Sequence, residues 1–321
     1  MTRFVLALAA AASIITSAQA QDAWPTKPIR LIAPFPPAST ADVIGRVLGQ
    51  KLSQRLGQPV VIDNRVGASG NLGADAIAKA APDGYTIGIV TSSTHAVAVS
   101  LSGKLPYDPL KDFTPITMLA NSPYVLVLYP GVAAKDIKEL VALAKSKPGT
   151  LNYGSAGPAS LAHLAGALFA TLSDIQLTHI PYKSSAQSVV DLISGRLEMQ
   201  FATIAPTLSN IRAGQLRALA VTSRKRAETL PEVPTMDEAG VTGYEATLWF
   251  ALMAPAGLPQ NIATRLNKET VDILNSAEMK ETLAQQGFVP DPGTPDALTA
   301  QIRGDIVKWR DVIAKAGIKP E

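Results

Sequence analysis

Three short stretches of this 321-residue chain combine small hydroxyl side chains, glycine and proline in a way that suits anion binding. The first, Pro34-Phe-Pro-Pro-Ala-Ser-Thr-Ala-Asp42, lies between an apolar run and an amphipathic one. Its prolines stiffen the approach, and Ser39 with Asp42 three residues later is a variant of the capping box that opens a helix. The second is Thr91-Ser-Ser-Thr-His95, read as a polar loop after another apolar run. The third, Gly154-Ser-Ala-Gly-Pro-Ala-Ser160, lets backbone approach a ligand at its glycines and places Pro158 in a first helical turn, with hydroxyls from Ser155 and Ser160. Amides at a helix start have no acceptor in their own helix, and the dipole there contributes about 0.3–1 kcal/mol per charge to holding an anion. One such loop reads equally well as a capped helix with nothing bound. Three of them, after strands of both halves of the chain, read as a grip on a ligand with at least one carboxylate and room for two.

Chemistry that would transform a ligand leaves no comparable trace. The HExxH, Walker A and G-x-S-x-G patterns are missing from the sequence. Zero cysteines exclude disulfide scaffolds, thiolate metal sites and cysteine nucleophiles. His163 falls in a helical pattern and His179 in a strand pattern, so each reads as a packed or surface histidine. His95, in the serine-threonine loop, is the histidine expected near a ligand. A serine hydrolase assembled from Ser92, Ser155 and a histidine is a rival that no spacing demands. No catalytic residue, metal ligand or cofactor is expected. Gly67-Ala-Ser-Gly-Asn-Leu-Gly73 is spaced GxxGxxG rather than GxGxxG, and no acidic residue ends a following strand. It reads as a tight helix entry, not a dinucleotide loop.

The elements that must position these loops follow from composition and period. Hydrophobic residues at 47% and charged residues at 17% allow a sizeable core, and the length suggests two domains. A net charge of +3, with Arg224-Lys225-Arg226 as a solvated basic run, argues against nucleic acid as a partner. Arg3, the apolar run from Phe4 to Ile15 and the small-x-small Ala18-Gln19-Ala20 make residues 1–20 an expected export signal, cleaved to leave a soluble periplasmic chain. Strands are expected at 29–33, 60–63, 85–90, 124–129, 151–153, 177–181, 197–202 and 216–222. Helices are expected at 41–56, 71–80, 135–146, 159–171, 185–195 and 205–213. This alternation predicts parallel sheet covered on both faces, in two α/β units. A strand at 246–253 then returns to the first unit, and helices at 259–275, 276–286 and 295–316 complete it. Lobe 1 is therefore expected over 21–123 plus 248–321 and lobe 2 over 124–247, with crossings near 124 and 247 and the ligand at the carboxyl ends of the strands.

In Pro34-Phe-Pro-Pro, Asp63-Asn-Arg65, Ala81-Pro-Asp-Gly-Tyr-Thr86, Leu105-Pro-Tyr-Asp108, Leu151-Asn-Tyr-Gly-Ser155, His179-Ile-Pro-Tyr-Lys183, Arg217-Ala-Leu-Ala-Val221, Pro231-Glu-Val-Pro-Thr235 and Ala254-Pro-Ala-Gly257, the chain resembles the substrate-binding receptors of tripartite tricarboxylate transporters, the Bug family. The match runs from Trp24 to the last helix. The resemblance implies an α/β, bilobal type II periplasmic-binding-protein fold that closes as a Venus flytrap, with two doubly wound lobes joined by a two-strand hinge. It implies a monomeric receptor, not an enzyme, that holds a ligand carboxylate with loop amides, hydroxyls and waters and delivers it to membrane transporter subunits. A ligand sensor for a signalling partner would look the same in sequence.

Three positions depart from the family pattern. Ala38-Ser39 stands where Gly-Gly is common, Ser184 where glycine follows Pro-Tyr-Lys, and Thr203 near a frequent aspartate. An aspartate there would pair with the ammonium of an amino acid, and its loss removes a charge-assisted bond of about 1.5–3 kcal/mol. Amino acids are therefore disfavoured, and the expected ligand is a dicarboxylate or aromatic carboxylate, with adipate and terephthalate as examples that the resemblance implies. Phe35 and Trp249 either wall the pocket or pack within their own lobes. The expected contacts are Phe35, Ala38, Ser39, Thr40 and Asp42 in the first anchor, and Ser92, Ser93, Thr94 and His95 in the second. Ser155, Ala156 and Ser160 form the third, with Thr203 for specificity and Trp249 as a wall.

Overall fold

The structure is a computed structural model that describes residues 24–37, 39–101, 104–285 and 287–318. The expected export signal and Ala38 lie outside those residues. The first run comprises β1 (Ile29–Ala33), α1 (Thr40–Leu56), β2 (Val60–Asn64), α2 (Asn71–Ala78), β3 (Thr86–Thr91) and α3 (Ala98–Leu101). The long strand β4 (Phe113–Leu128) leads into α4 (Ile137–Ser146), β5 (Asn152–Ser155), α5 (Leu161–Ser173), β6 (Thr178–Pro181) and α6 (Ser185–Ile193). After β7 (Met199–Thr203), α7 (Ile204–Arg212) and β8 (Arg217–Val221), the chain returns through β9 (Thr247–Pro255) to α8 (Gln260–Leu274), α9 (Ala277–Gln285), β10 (Val289–Pro290) and α10 (Pro295–Lys315).

The ten strands form one sheet, yet the pairing repeats itself. One half has the order β2-β1-β3-β9-β4, and the other has β6-β5-β7-β4-β8. In each half the first three strands are parallel and the fourth is antiparallel to them. The protein is bilobal, and β4 pairs in both halves, with β9 in the first and with β7 and β8 in the second. The register of β4 with β9 pairs Asn121 with Trp249 and Pro123 with Thr247. At the upper end, Thr222 accepts the Tyr124 amide on its hydroxyl at 2.8 Å and the Ala246 amide on its carbonyl at 3.0 Å.

The strand expected at 124–129 begins at Phe113. Pro115 and Pro123 hide this extension, because proline contributes no amide to a ladder and breaks the apparent period. The register shifts between Pro115 and Thr117 and again between Met118 and Ala120. Two irregularities thus let a proline-bearing segment stay paired along its length.

Each sheet face is sealed by its own cluster. Ile29, Leu31, Ile87 and Ile89 pack on Ile44, Leu48 and Leu52 of α1 and on Leu266 of α8. The largest cluster joins α5, α10 and the inner faces of both lobes around Trp249, Trp309, Phe169 and Phe201. At about 25 cal/mol per Å² of apolar area removed from water, burial of this kind dominates the stability. The basic run 224–226 is solvated, as expected, and is tied down by Arg224–Glu245 at 2.9 Å and Arg226–Glu238 at 2.8 Å.

Candidate ligand cleft

The register brings the ligand loops together. β3 ends at Thr91, which lies opposite Phe250, itself opposite Ala120 of β4. β7 runs in the opposite sense and ends at Thr203, opposite Tyr124. The carboxyl ends of the two parallel sets therefore meet the same stretch of β4 from opposite directions, about 13 Å apart along the strand at ~3.3 Å per residue. The segments after β1, β3, β5 and β7 thus follow strand ends of the two parallel sets.

The first anchor forms as its residues predict. Ser39 is extended, at φ −70° and ψ 162°, and its hydroxyl accepts the Asp42 amide. The Val43 amide bonds the Ser39 carbonyl. Of the four amides that a helix start leaves without helical acceptors, those of Thr40 and Ala41 remain for a ligand. The Asp42 side chain is buried; it accepts Arg46 Nε at 2.8 Å and Asn64 Nδ2 at 2.9 Å. Asn64 also donates to the Phe35 carbonyl at 2.9 Å, so Asp42 steadies the loop from behind instead of facing a ligand. Phe35 is half-buried, and its ring edge meets Gly70.

The second anchor differs from its expected form. Residues 93–97 make a π-helical turn that runs into α3, not a loop. Ser92, Thr94 and His95 are buried, and Ser93 alone of the four is partly open. Thr94 Oγ1 bonds back to the Thr91 carbonyl at 3.1 Å and lies 3.0 Å from His95 Nδ1. The His95 ring stacks on Tyr107 and meets Phe113 edge-on. Burial drives its pKa down to about 3, so the imidazole is neutral. His95 is a core residue, not a ligand contact, because Tyr107 and Phe113 supply an aromatic slot that the local sequence does not reveal.

The third anchor repeats the first. Ser160 accepts the His163 amide on its hydroxyl, and the Leu164 amide bonds its carbonyl, which leaves Leu161 and Ala162 amides without helical acceptors. Ala156 is exposed, and Ser160 is half-buried and donates to the Gly157 carbonyl at 2.8 Å. Ser155 is fully buried, and its hydroxyl donates to the same carbonyl at 2.9 Å. His179 Nε2 stands 2.6 Å from that hydroxyl. A serine and a histidine at this separation resemble a nucleophile and its base. The hydroxyl is sealed from solvent, however, and the far face of His179 meets His163, not an orienting carboxylate.

Thr203 caps α7 in an extended conformation, is half-buried, and spends no side-chain bond on the cap. Trp249 is 1% exposed, and its indole N–H is donated to Asp305 at 2.7 Å. It belongs to the core beside α10.

The Gly67–Gly70 turn leads into α2 as the tight helix entry expected there, but its contact with two anchors was not foreseen. A Cβ at Gly70 would lie 3.0 Å from Thr94 Cγ2 and 3.1 Å from Phe35 Cζ, so this glycine lets the turn touch two anchors. Ala68 and Ser69 hold left-handed φ values of 47° and 54°, as does Ala159 at 58° beside the third anchor. Strain of this kind persists only where surroundings enforce it. Its sequence signal was the paired glycines. A separate cavity of about 520 Å³ lies between α7 and α9, with Pro123, Leu208 and Phe288 in its wall and none of the anchor residues.

Known proteins share this fold. The chain is 39% identical to the protein BugT of Bordetella pertussis over 99% of both chains. A solved structure from R. palustris, Rpa4515 with adipate, shares 36% identity at a TM-score of 0.74, covering 93% of this chain and all of the other. MatC from Rhodopseudomonas palustris with bound malate shares 29% identity at a TM-score of 0.70, covering 90% and 100%. The model of the tripartite tricarboxylate transporter family receptor matches residues 44–318, and the chain belongs to that family of solute-binding receptors, which bind their ligand without transforming it.

Proposed function

We propose that this receptor takes up a small dicarboxylate or aromatic carboxylate, with adipate and terephthalate as representatives, in the cleft between lobe 1 (21–123 plus 248–321) and lobe 2 (124–247). The observation that carries this reading is the repetition of a serine-capped helix start, α1 after β1 and α5 after β5, on strands that lie on opposite sides of β4 in the strand order. Each offers two amides with no helical acceptor, which suits a carboxylate at either end of a short ligand. Thr203 brings a neutral hydroxyl where an ammonium would want an anion, which disfavours amino acids. The similarity to a protein solved with adipate supports the same class. The receptor acts in the periplasm after loss of residues 1–20, as a monomer, and hands its ligand to a tripartite membrane transporter. Among the described residues no helix is long and apolar enough to cross a membrane.

Thermal unfolding against a panel of acids tests the reading. The panel holds aliphatic dicarboxylates, aromatic mono- and dicarboxylates, tricarboxylates, amino acids and sugars. A ligand at 100 times its Kd adds about 2.7 kcal/mol, a shift of several degrees. A shift confined to dicarboxylates or aromatic acids is expected. Tighter binding of glutamate or aspartate than of every unaminated acid defeats the Thr203 argument, and no shift with any acid removes the carboxylate.

A further inference from the structure

The third anchor is braced from behind by two histidines that the grip itself does not use. His163 is the third residue of α5, the position from which a glutamate or glutamine usually reaches back to complete a capping box. Its Nδ1 accepts the Ala159 amide at 3.1 Å. Ala159 needs such a tether, because its φ of 58° lies in the left-handed region that a side chain disfavours. The His163 ring stacks on His179, with centroids 3.7 Å apart and planes 7° from parallel. His179 reaches Ser155 at the other end of the loop, 2.6 Å from Nε2 to Oγ. The Ser155 proton goes to the Gly157 carbonyl, so His179 is the donor in that contact. One imidazole stack thus fastens both ends of residues 155–160.

We propose that His163 is a positioning residue for the third anchor, its Nδ1 lone pair holding the Ala159 amide so that the Leu161 and Ala162 amides face the cleft, while His179 fixes the Ser155 end. The proposal rests on the reading of this loop as a carboxylate anchor. A glutamate at 163 would make the same bond but would set a full negative charge behind a site for an anion. Neutral imidazole makes the bond without that charge. Imidazolium cannot make it, since both its nitrogens carry protons. Tyr153 faces the stack from β5, with its ring 5.2 Å from His179 and 6.2 Å from His163 and its hydroxyl donated to the His163 carbonyl. Glu198 beside β5 is taken up by Asn152, and Asp191 on α6 by Tyr182 and Arg196. Lys183 after β6 is exposed, Gln200 on β7 is neutral, and Asp305 on α10 pairs with Lys308. Among the described residues no carboxylate favours the charged form; burial and then His179 bring His163 down to about 4.

The test measures amide exchange at Ala159 and affinity for adipate in the wild type and in His163→Gln, His163→Ala and His163→Glu. His163→Gln should keep both properties, and its Ala159 amide should lack the acid titration near pH 4 expected of the wild type. His163→Ala should lower Ala159 protection and adipate affinity by about tenfold each, the worth of one such bond. His163→Glu should protect Ala159 at neutral pH yet bind adipate at least about tenfold more weakly than His163→Gln, through charge repulsion alone. Unchanged protection in His163→Ala overturns the proposal, as does equal binding by the Glu and Gln variants. If the Ala variant unfolds, the Gln–Glu pair still decides wherever adipate binds the wild type. If no acid binds the wild type but Ala159 protection still depends on residue 163, the tether stands and the carboxylate reading falls.

Discussion

The first βα loops of the two lobes solve one problem with different chemistry. In lobe 1, Ser39 caps α1 and the third helical residue is Asp42, neutralised by Arg46 and shared with Asn64. In lobe 2, Ser160 caps α5 and the third helical residue is His163, uncharged and stacked on His179. Both loops are backed by a side-chain acceptor at the same helical position, but one is an ion-paired carboxylate and the other an imidazole. The lesson is that a serine-capped helix start is what the two lobes share, while the support behind it is free to vary. The support decides how each half responds to acid and to substitution.

Acid should give the largest effect, because lobe 1 buries His95 and lobe 2 half-buries His163 and His179, all with pKa values lowered by burial. With folded values of about 3 for His95 and about 4 for His163, the unfolded chain binds more protons from near pH 6.5 downward. Stability is therefore full above that point and falls as pH drops through the window, by an amount on the order of several kcal/mol for the fully buried His95. Urea unfolding at stepped pH should show this slope. His95→Leu should flatten most of it and His163→Gln a smaller part; the reverse order would place the acid-sensitive half in lobe 2.

Asp42→Ala comes next. It deprives Arg46 and Asn64 of their acceptor and should cost about 2 kcal/mol in chemical denaturation, with His163→Ala costing less because its ring is half-open. Equal losses would mean that the two supports are interchangeable after all. Gly70→Ala should then cost about 2 kcal/mol, since its Cβ meets Thr94 and Phe35 at a φ of 93°. Gly157→Ala, at φ 111° but with nothing nearer than the Tyr182 carbonyl at 3.6 Å, should cost about 1 kcal/mol from backbone strain alone.

How far the sequence revealed this arrangement depends on the range of the forces involved. Strands β1 to β3 and β5 to β8 and the helices between them were legible because each is a short apolar run or an amphipathic period bounded by glycine, proline or serine. The Ser39 and Ser160 caps were legible for the same local reason. The start of β4 was hidden by Pro115 and Pro123, whose missing amides are absorbed by irregular pairing with β9. Thr91-Ser-Ser-Thr-His95 read as a polar loop facing the cleft, but Tyr107 and Phe113 pack against His95, and nothing near residue 95 announces them. The His163–His179 stack joins a helix to the edge strand β6, where His179 lies opposite Tyr153, a contact that only the register of β5 with β6 creates. Trp249 was an open alternative, settled by a bond to Asp305 on the last helix.

The cap serines give the finest contrast between the lobes. Ser39 accepts a single amide, from Asp42, at a long 3.4 Å. Ser160 accepts from His163 at 3.3 Å and also donates to the Gly157 carbonyl at 2.8 Å, which ties the cap to the glycine turn of its own anchor. Removing a serine cap typically costs about 1 kcal/mol. Ser39→Ala should fall below that value, because its bond is stretched and Asp42 keeps the loop in place through Asn64. Ser160→Ala should reach or exceed it, because the Gly157 carbonyl keeps only the Ser155 hydroxyl as a side-chain partner. Denaturant midpoints at neutral pH resolve a difference of this size if the slopes are unchanged. If Ser39→Ala proves the costlier of the two, the carboxylate support in lobe 1 is weaker than its bonds indicate, and the imidazole stack alone holds lobe 2.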